Sequence, residues 1–284
     1  MRTITAFLLL MLSMHFVHAE TIIADKQQVS GTWGPKGSPY IVQGEAIVPE
    51  GKTLTIKPGV EVKFKTSINE EFEYGGSSFD FGFLRVNGKL VARGKEGKPI
   101  VFTRLGNEGS WGAVVVNTTD KGSEFAWCKF SYGHYIRYVI EGDNATGMLT
   151  FIKSTGKVSH CTFSNGWTGI NCKQGSEPVI DHCTLTLNEY GLECNSDSKP
   201  TVSNTILWGN GDTFYLNSGK NIPVSYSLIQ AYSIEEESVE DKGNNIINDE
   251  TEPGFIDADA GDFRLSKNSP LLKKGEKGSN IGAY

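Results

Sequence analysis

Four groups of residues carry side chains that could act on another molecule. Arg137 stands just ahead of Glu141 and Asp143, so a cation and two acids share one short segment. Glu193 can pair with Glu189 or Asp212, and glycoside hydrolysis uses two carboxyl groups about 5–9.5 Å apart. In Asp257-Ala-Asp-Ala-Gly-Asp262 the carboxylates of Asp257, Asp259 and Asp262 alternate, a pattern of oxygen ligands that could hold Ca²⁺. Tyr132, Tyr135, Trp167, Tyr190 and Trp208 recur along the middle of the chain. Aromatic faces pack on the C–H faces of sugars, while neighbouring amides and carboxylates bond the hydroxyls. Among nucleophile and metal motifs the chain has no His-Glu-x-x-His, no Gly-x-Ser-x-Gly and no phosphate loop. Beyond the first 19 residues the only histidines are His134, His160 and His182.

What positions these groups is an internal repeat. Val158-Ser-His-Cys-Thr-Phe163 returns as Ile180-Asp-His-Cys-Thr-Leu185, Val202-Ser-Asn-Thr-Ile-Leu207 and Val224-Ser-Tyr-Ser-Leu-Ile229, each 22 residues after the last. A second set, Ile170/Leu192/Phe214 and Cys172/Cys194/Leu216, keeps the same step. A fixed period in this range means stacked units that bury one face against their neighbours. Apolar residues alternate over two to four positions and then meet Gly, Asn, Ser or Pro, which is the grammar of short strands and turns. Three strands fit one turn, near 158–159, 161–163 and 169–172, and stacking such turns makes a parallel β-solenoid with like residues above like. Its interior is filled, so binding or chemistry must use outward positions and loops. The strand at 169–172 and its copies then present Asn171, Glu193 and Tyr215 outward, beside the aromatic loop residues. Cys161 over Cys183 and Cys172 over Cys194 read as an inward core ladder, because directly stacked strands offer poor disulfide geometry. His160, His182 and Asn204 fall at a bend, where polar side chains can stack and bond neighbouring backbone.

Composition agrees with a folded, turn-rich chain. It has 284 residues, a net charge of −6, a 38% hydrophobic share and 33 Gly without collagen spacing. A net acidic chain with no Lys/Arg-rich run argues against nucleic acid or an anionic membrane as partner. Met1-Arg2, the apolar run from Ala6 to Val17 and Val17-His-Ala19 fit a cleaved signal peptide over 1–19, and no later stretch is long and apolar enough to span a bilayer. The expected product is extracytoplasmic: secreted, periplasmic or at the cell surface.

Earlier segments follow the same grammar less regularly. Gly51-Lys-Thr-Leu-Thr-Ile-Lys-Pro-Gly-Val-Glu-Val-Lys-Phe64, Leu84-Arg-Val-Asn-Gly-Lys-Leu-Val-Ala92, Pro99-Ile-Val-Phe-Thr103 and Trp111-Gly112 come in order. Together they resemble the first rungs of bacterial right-handed parallel β-helix repeat proteins of the pectate-lyase-like superfamily. Gly261-Asp-Phe-Arg-Leu-Ser-Lys-Asn-Ser-Pro270 and Asn280-Ile-Gly-Ala-Tyr284 resemble that group's closing segment. The resemblance implies an all-β, right-handed, single-stranded parallel β-helix over 20–232, followed by an acidic loop and a C-terminal cap over 233–284. Uronate lyases of this superfamily use an Arg or Lys base, with Ca²⁺ neutralising the sugar carboxylate. Arg137 with Glu141 and Asp143 is the matching cluster here, while the Arg-x-Pro-x-x-Arg element of those enzymes is absent. Val179-Ile-Asp-His182 resembles a pectate-lyase motif, although repeat columns already account for Ile180 and His182.

Two further segments carry expectations. Residues 66–83 hold Phe72, Tyr74, Phe79, Phe81 and Phe83 among acids, and read either as a partner-binding loop or as an extension of the strand at Leu84. Ile206 and Leu228 are apolar where earlier copies have Thr162 and Thr184, so the segment 244–284 is expected to fold over them and hide the solenoid's open end. The leading functional expectation is non-catalytic recognition of a polysaccharide, or of a cell-surface glycan or protein, through Tyr132, Tyr135, Trp167, Asn171, Tyr190, Glu193, Trp208 and Tyr215, with no cofactor beyond a possible Ca²⁺. The alternatives are a polysaccharide lyase or glycoside hydrolase using Arg137, Glu141 and Glu193, and a structural spacer or adhesin module.

Overall fold

An alternating strand only a few residues long is stable when the next turn covers its edge, and the 22-residue step delivers that neighbour. The computed structural model describes residues 20–68, 81–119, 122–140, 143–195, 197–217, 221–231 and 239–284. Residues 1–19, and most of the aromatic insertion, lie outside these. One full turn consists of Gly156–Ser159, Thr162–Ser164 and Thr168–Lys173. Among the described residues, successive turns add in parallel into three long sheets of ten, eight and nine strands. Val158, Ile180, Val202 and Val224 stand above one another in the nine-stranded sheet. Phe163, Leu185, Leu207 and Ile229 do so in the ten-stranded sheet. Ile170/Leu192/Phe214 and Cys172/Cys194/Leu216 are the paired columns of the eight-stranded sheet. The chain is a right-handed parallel β-helix with one continuous apolar core.

Inside the tube, identical rings stack because a parallel ladder sets them one strand spacing apart. Phe102, Phe130 and Phe163 stack with nearly parallel rings, with centroids 4.5 and 4.8 Å apart. Each corner must also satisfy backbone groups that leave the sheet ladders inside the tube, and polar side chains do this rung after rung. The Ser154, Ser176 and Ser198 hydroxyls take the backbone N–H of the turn below at one corner. At a second, the Asn188 amide donates to the Phe163 carbonyl and to Asn210 Oδ1, while its own Oδ1 accepts from Gly166 N–H. At the third, Cys161 Sγ, Thr205 Oγ1 and Ser227 Oγ accept from Cys128, Cys183 and Thr205 N–H. All five cysteines are buried and unbridged, and burial pushes the Cys161, Cys183 and Cys194 thiols up.

The 33-residue step from Cys128 to Cys161 has a specific content. The strand Gly147–Ile152 keeps its place in the eight-stranded sheet, and an antiparallel hairpin of Ile136–Ile140 with Asp143–Ala145 precedes it. Ile136 and Ala145 pack on Phe81, Phe83, Ala113, Val115 and Ile152 in a separate apolar cluster outside the tube. That cluster seats the hairpin on the outer face of the sheet. A side chain at Gly112 would meet Ile136 at 2.7 Å and Phe81 at 2.9 Å, so the seat requires glycine.

The tail buries Ile206 and Leu228 against Leu271 and Ile281. It lies along the flank of the ten-stranded sheet rather than across an open end. Tyr284 reaches back to Trp127 and lies 5.8 Å from the Lys129 ammonium, four ladder steps before Leu228. The parallel ladders also run on past residue 232, through Val239–Asp241 and Ile246–Asn248.

Candidate functional site

The eight-stranded sheet and the corner leading into it carry most of the residues singled out from sequence. At that corner Tyr132, Asn165 and Leu187 have positive φ, between 57° and 63°, and Gly209 follows in the same column. The sharp turn throws the next residues outward, and four rings gather there. Tyr135 and Trp167 have centroids 5.6 Å apart, Trp167 and Tyr190 5.9 Å, and Tyr190 and Tyr215 5.1 Å. The result is an oblique stripe that climbs from the corner onto the face of the sheet. Beside it a groove of about 620 Å³ is lined by Ser110, His134, Asn165, Trp167, Asn188 and Glu189.

The groove is polar without being cationic at its base. Burial pushes His134 down to about 4, so its ring is neutral near pH 7, and it sits 5.0 Å from Trp167. Partial burial, helped by Glu189 and Asp212, raises the Tyr190 phenol, which stays a neutral hydrogen-bond donor. The His134 shift fixes one pH dependence. The unfolded imidazole titrates near 6.5 and the folded one near 4, so the unfolded state binds more protons between these values. Stability therefore rises with pH across that window. His134→Gln is expected to flatten this rise in melting temperature measured from pH 4 to 6.5, and an unchanged slope would reject the assignment.

Several predicted residues stand elsewhere. Asn171 and Glu193 do point out of the tube, in one column with Thr150 and Tyr215. The hairpin roofs them, however: Asn171 is fully buried and Glu193 is 5% exposed. Glu193 accepts from the Thr146 hydroxyl and from Asn195 Nδ2, and the Lys173 ammonium reaches the Asn144 carbonyl. Exposed Glu189 and Asp212 are thus left without Glu193 as an accessible partner. Tyr132 packs on the core and is covered by the Arg104 guanidinium at 3.8 Å. Trp208 packs on the tail cluster. Arg137 donates to the Tyr135 hydroxyl and lies 5.4 Å from its ring centre, while Glu141 falls outside the described residues. Asp257 and Asp262 flank the turn of an antiparallel hairpin. Asp257 accepts from Ala260 N–H and Asp262 pairs with Arg264. Among the described residues no group of three or more His, Cys, Asp or Glu could hold a metal ion.

Three parallel sheets closing a tube, with corner ladders inside it and partly exposed rings on one flank, define a right-handed parallel β-helix protein. The family described as "Right handed beta helix region" matches residues 107–260, and "Pectate-lyase like beta helix domain" matches residues 30–133. The chain belongs to the right-handed β-helix family. No curated protein matches it. No helix among the described residues is long and apolar enough to cross a membrane.

Proposed function

We propose that this is an extracytoplasmic β-helix protein that recognises a polysaccharide, free or on a cell surface, without transforming it at the aromatic stripe. The observation that carries this reading is the continuous row Tyr135–Trp167–Tyr190–Tyr215 beside a polar groove. Rings in a row that reach solvent need a reason on a protein surface: Tyr135, Trp167 and Tyr190 are half-buried and Tyr215 is 41% exposed. Sugar faces stack on such rings, and the Tyr190 phenol, Asn165 and Glu189 supply groups that bond hydroxyls. A lyase or hydrolase reading centred on Glu193 is supported less, because that carboxylate lies beneath the hairpin.

The test is binding to an immobilised glycan panel. Trp167 touches His134, Tyr135 and Tyr190, so Trp167→Ala removes the centre of the row. It is expected to weaken binding at least tenfold, about 1.4 kcal/mol, with the thermal melt little changed. Binding unaffected by Trp167→Ala and by Tyr190→Ala overturns the reading. Release of shortened or unsaturated sugars from the bound glycan would overturn the non-catalytic part alone.

A further inference from the structure

The corner between the nine- and ten-stranded sheets holds a second constellation, remote from the aromatic stripe. Trp127, His160, His182, Asn204 and Tyr226 occupy successive turns there with φ between 48° and 53°. Trp127 stacks on His160 at 4.4 Å, and His160 on His182 at 5.0 Å. The tail crosses this column, and its Ser279 Oγ lies 3.0 Å from His182 Nε2. On the other side of the same ring, His182 Nδ1 lies 2.9 Å from Asp181 Oδ2. Asp181 is fixed in turn by Ser203 Oγ at 2.7 Å and Asn204 Nδ2 at 2.8 Å, both on Oδ1.

Protonation follows from these partners. Burial pushes the Asp181 carboxyl up, but hydrogen bonds from His182, Asn204 and Ser203 outweigh it and hold the group well below the usual carboxylate range. An ionised carboxylate only accepts, so in neutral His182 the ring proton sits on Nδ1 and the lone pair on Nε2. That lone pair faces the Ser279 hydroxyl, whose other near acceptor is the Glu276 carbonyl at 3.0 Å. Carboxylate, imidazole and hydroxyl then stand in the order and at the separations that activate a serine. Ser279 is partly exposed on a turn of the tail, and His182 Nε2 is the base beside it.

We propose that Asp181, His182 and Ser279 form a serine-nucleophile site that hydrolyses small acyl esters, such as an O-acetyl group on a sugar hydroxyl. Ser279 Oγ attacks the ester carbonyl carbon while its proton passes to His182 Nε2. The carbon–oxygen bond to the sugar breaks, and the proton on Nε2 goes to the departing oxygen to give the alcohol. Water then attacks the acyl-serine carbonyl and gives one proton to Nε2. The bond to Ser279 Oγ breaks, Oγ regains that proton, and a carboxylic acid leaves. Asp181 is a positioning residue: it holds the tautomer and stabilises the imidazolium that forms in each half-reaction.

The same bonds also fasten the tail, so the experiment must separate docking from reactivity. The intact protein is incubated with p-nitrophenyl acetate, and the rate of nitrophenol release and the site of acetylation are measured by absorbance and peptide mass spectrometry. The expected result is acetyl on the peptide carrying Ser279 and release that falls about a hundredfold in Ser279→Ala and His182→Gln. Gln at 182 can still donate to Ser279 Oγ and hold the tail, so the thermal melt is the control for folding. Asp181→Asn is expected to lower kcat with KM little changed, because the imidazolium that forms in the reaction loses its carboxylate. Release that His182→Gln leaves unchanged while the fold is intact, or acetyl spread over other residues and absent from Ser279, overturns the proposal.

Discussion

A chain ended at Ser266 is expected to melt roughly 10 °C or more below the full-length protein and to aggregate on warming. Such a truncation removes Leu271 and Ile281, which cover Ile206 and Leu228, both fully buried. Returning two such side chains to water costs about 3–6 kcal/mol, a large share of the ~5–15 kcal/mol that holds a domain folded. Hydrogen bonds from the tail to the corner column and the adjoining strand go as well: Gly282 N–H to the Asn204 carbonyl, Ala283 N–H to Thr184 Oγ1 and Glu276 N–H to Asn204 Oδ1. What remains is an apolar stripe on a sheet face, which invites self-association. Placing threonine at 206 and 228 continues the outward Thr162–Thr184 pattern. In the truncated chain, Ile206→Thr with Leu228→Thr should restore solubility without restoring the melting temperature. Light scattering during a thermal ramp checks both, and a truncated chain as stable and monomeric as the parent refutes the role given to the tail.

The tail's partners were legible because they break a rule. A strict period makes every column a forecast, so two apolar residues at outward threonine positions announce a cover that comes from elsewhere in the chain. For the same reason the core columns, the cysteine ladder and the bend at His160 and His182 are legible in the repeat itself. The burial of Asn171 and Glu193 was not legible. It depends on a hairpin inserted once, seated by Phe81 and Phe83 from a distant turn, and no period forecasts a single insertion. The position of Trp208 beneath the tail and of Arg104 over Tyr132 failed for a related reason. Repeat arithmetic says which way a side chain points, not what later covers it. The corner ladders of Ser154/Ser176/Ser198 and Asn188/Asn210 carry the 22-residue signal in full. They are missed when only apolar columns are followed, although buried corners need polar side chains as much as sheets need apolar ones. Ser279 beside His182 lies beyond any such signal, since the two are 97 residues apart and meet only because the tail doubles back.

Phe130→Ala should show the largest effect of any single core substitution, a loss of about 3–5 kcal/mol in denaturant unfolding. Phe130 lies between Phe102 and Phe163 with near-parallel rings, and Phe125 leans on it at 6.1 Å. Removing it opens a cavity that two sheets border and breaks two stacked pairs, each worth about 0.5–1.5 kcal/mol beyond the area buried. In a solenoid each turn touches only its neighbours, so a defect in a middle turn weakens two interfaces at once. Ile229→Ala, in the same column near the end of the stack, should cost less than Phe130→Ala by at least about 1 kcal/mol. The middle-turn variant should also unfold less cooperatively, with a smaller denaturant slope, as the two halves begin to melt separately. Equal losses at the two positions, or a Phe130→Ala cost under about 1 kcal/mol, would mean that the ring stack does not couple the two halves of the tube.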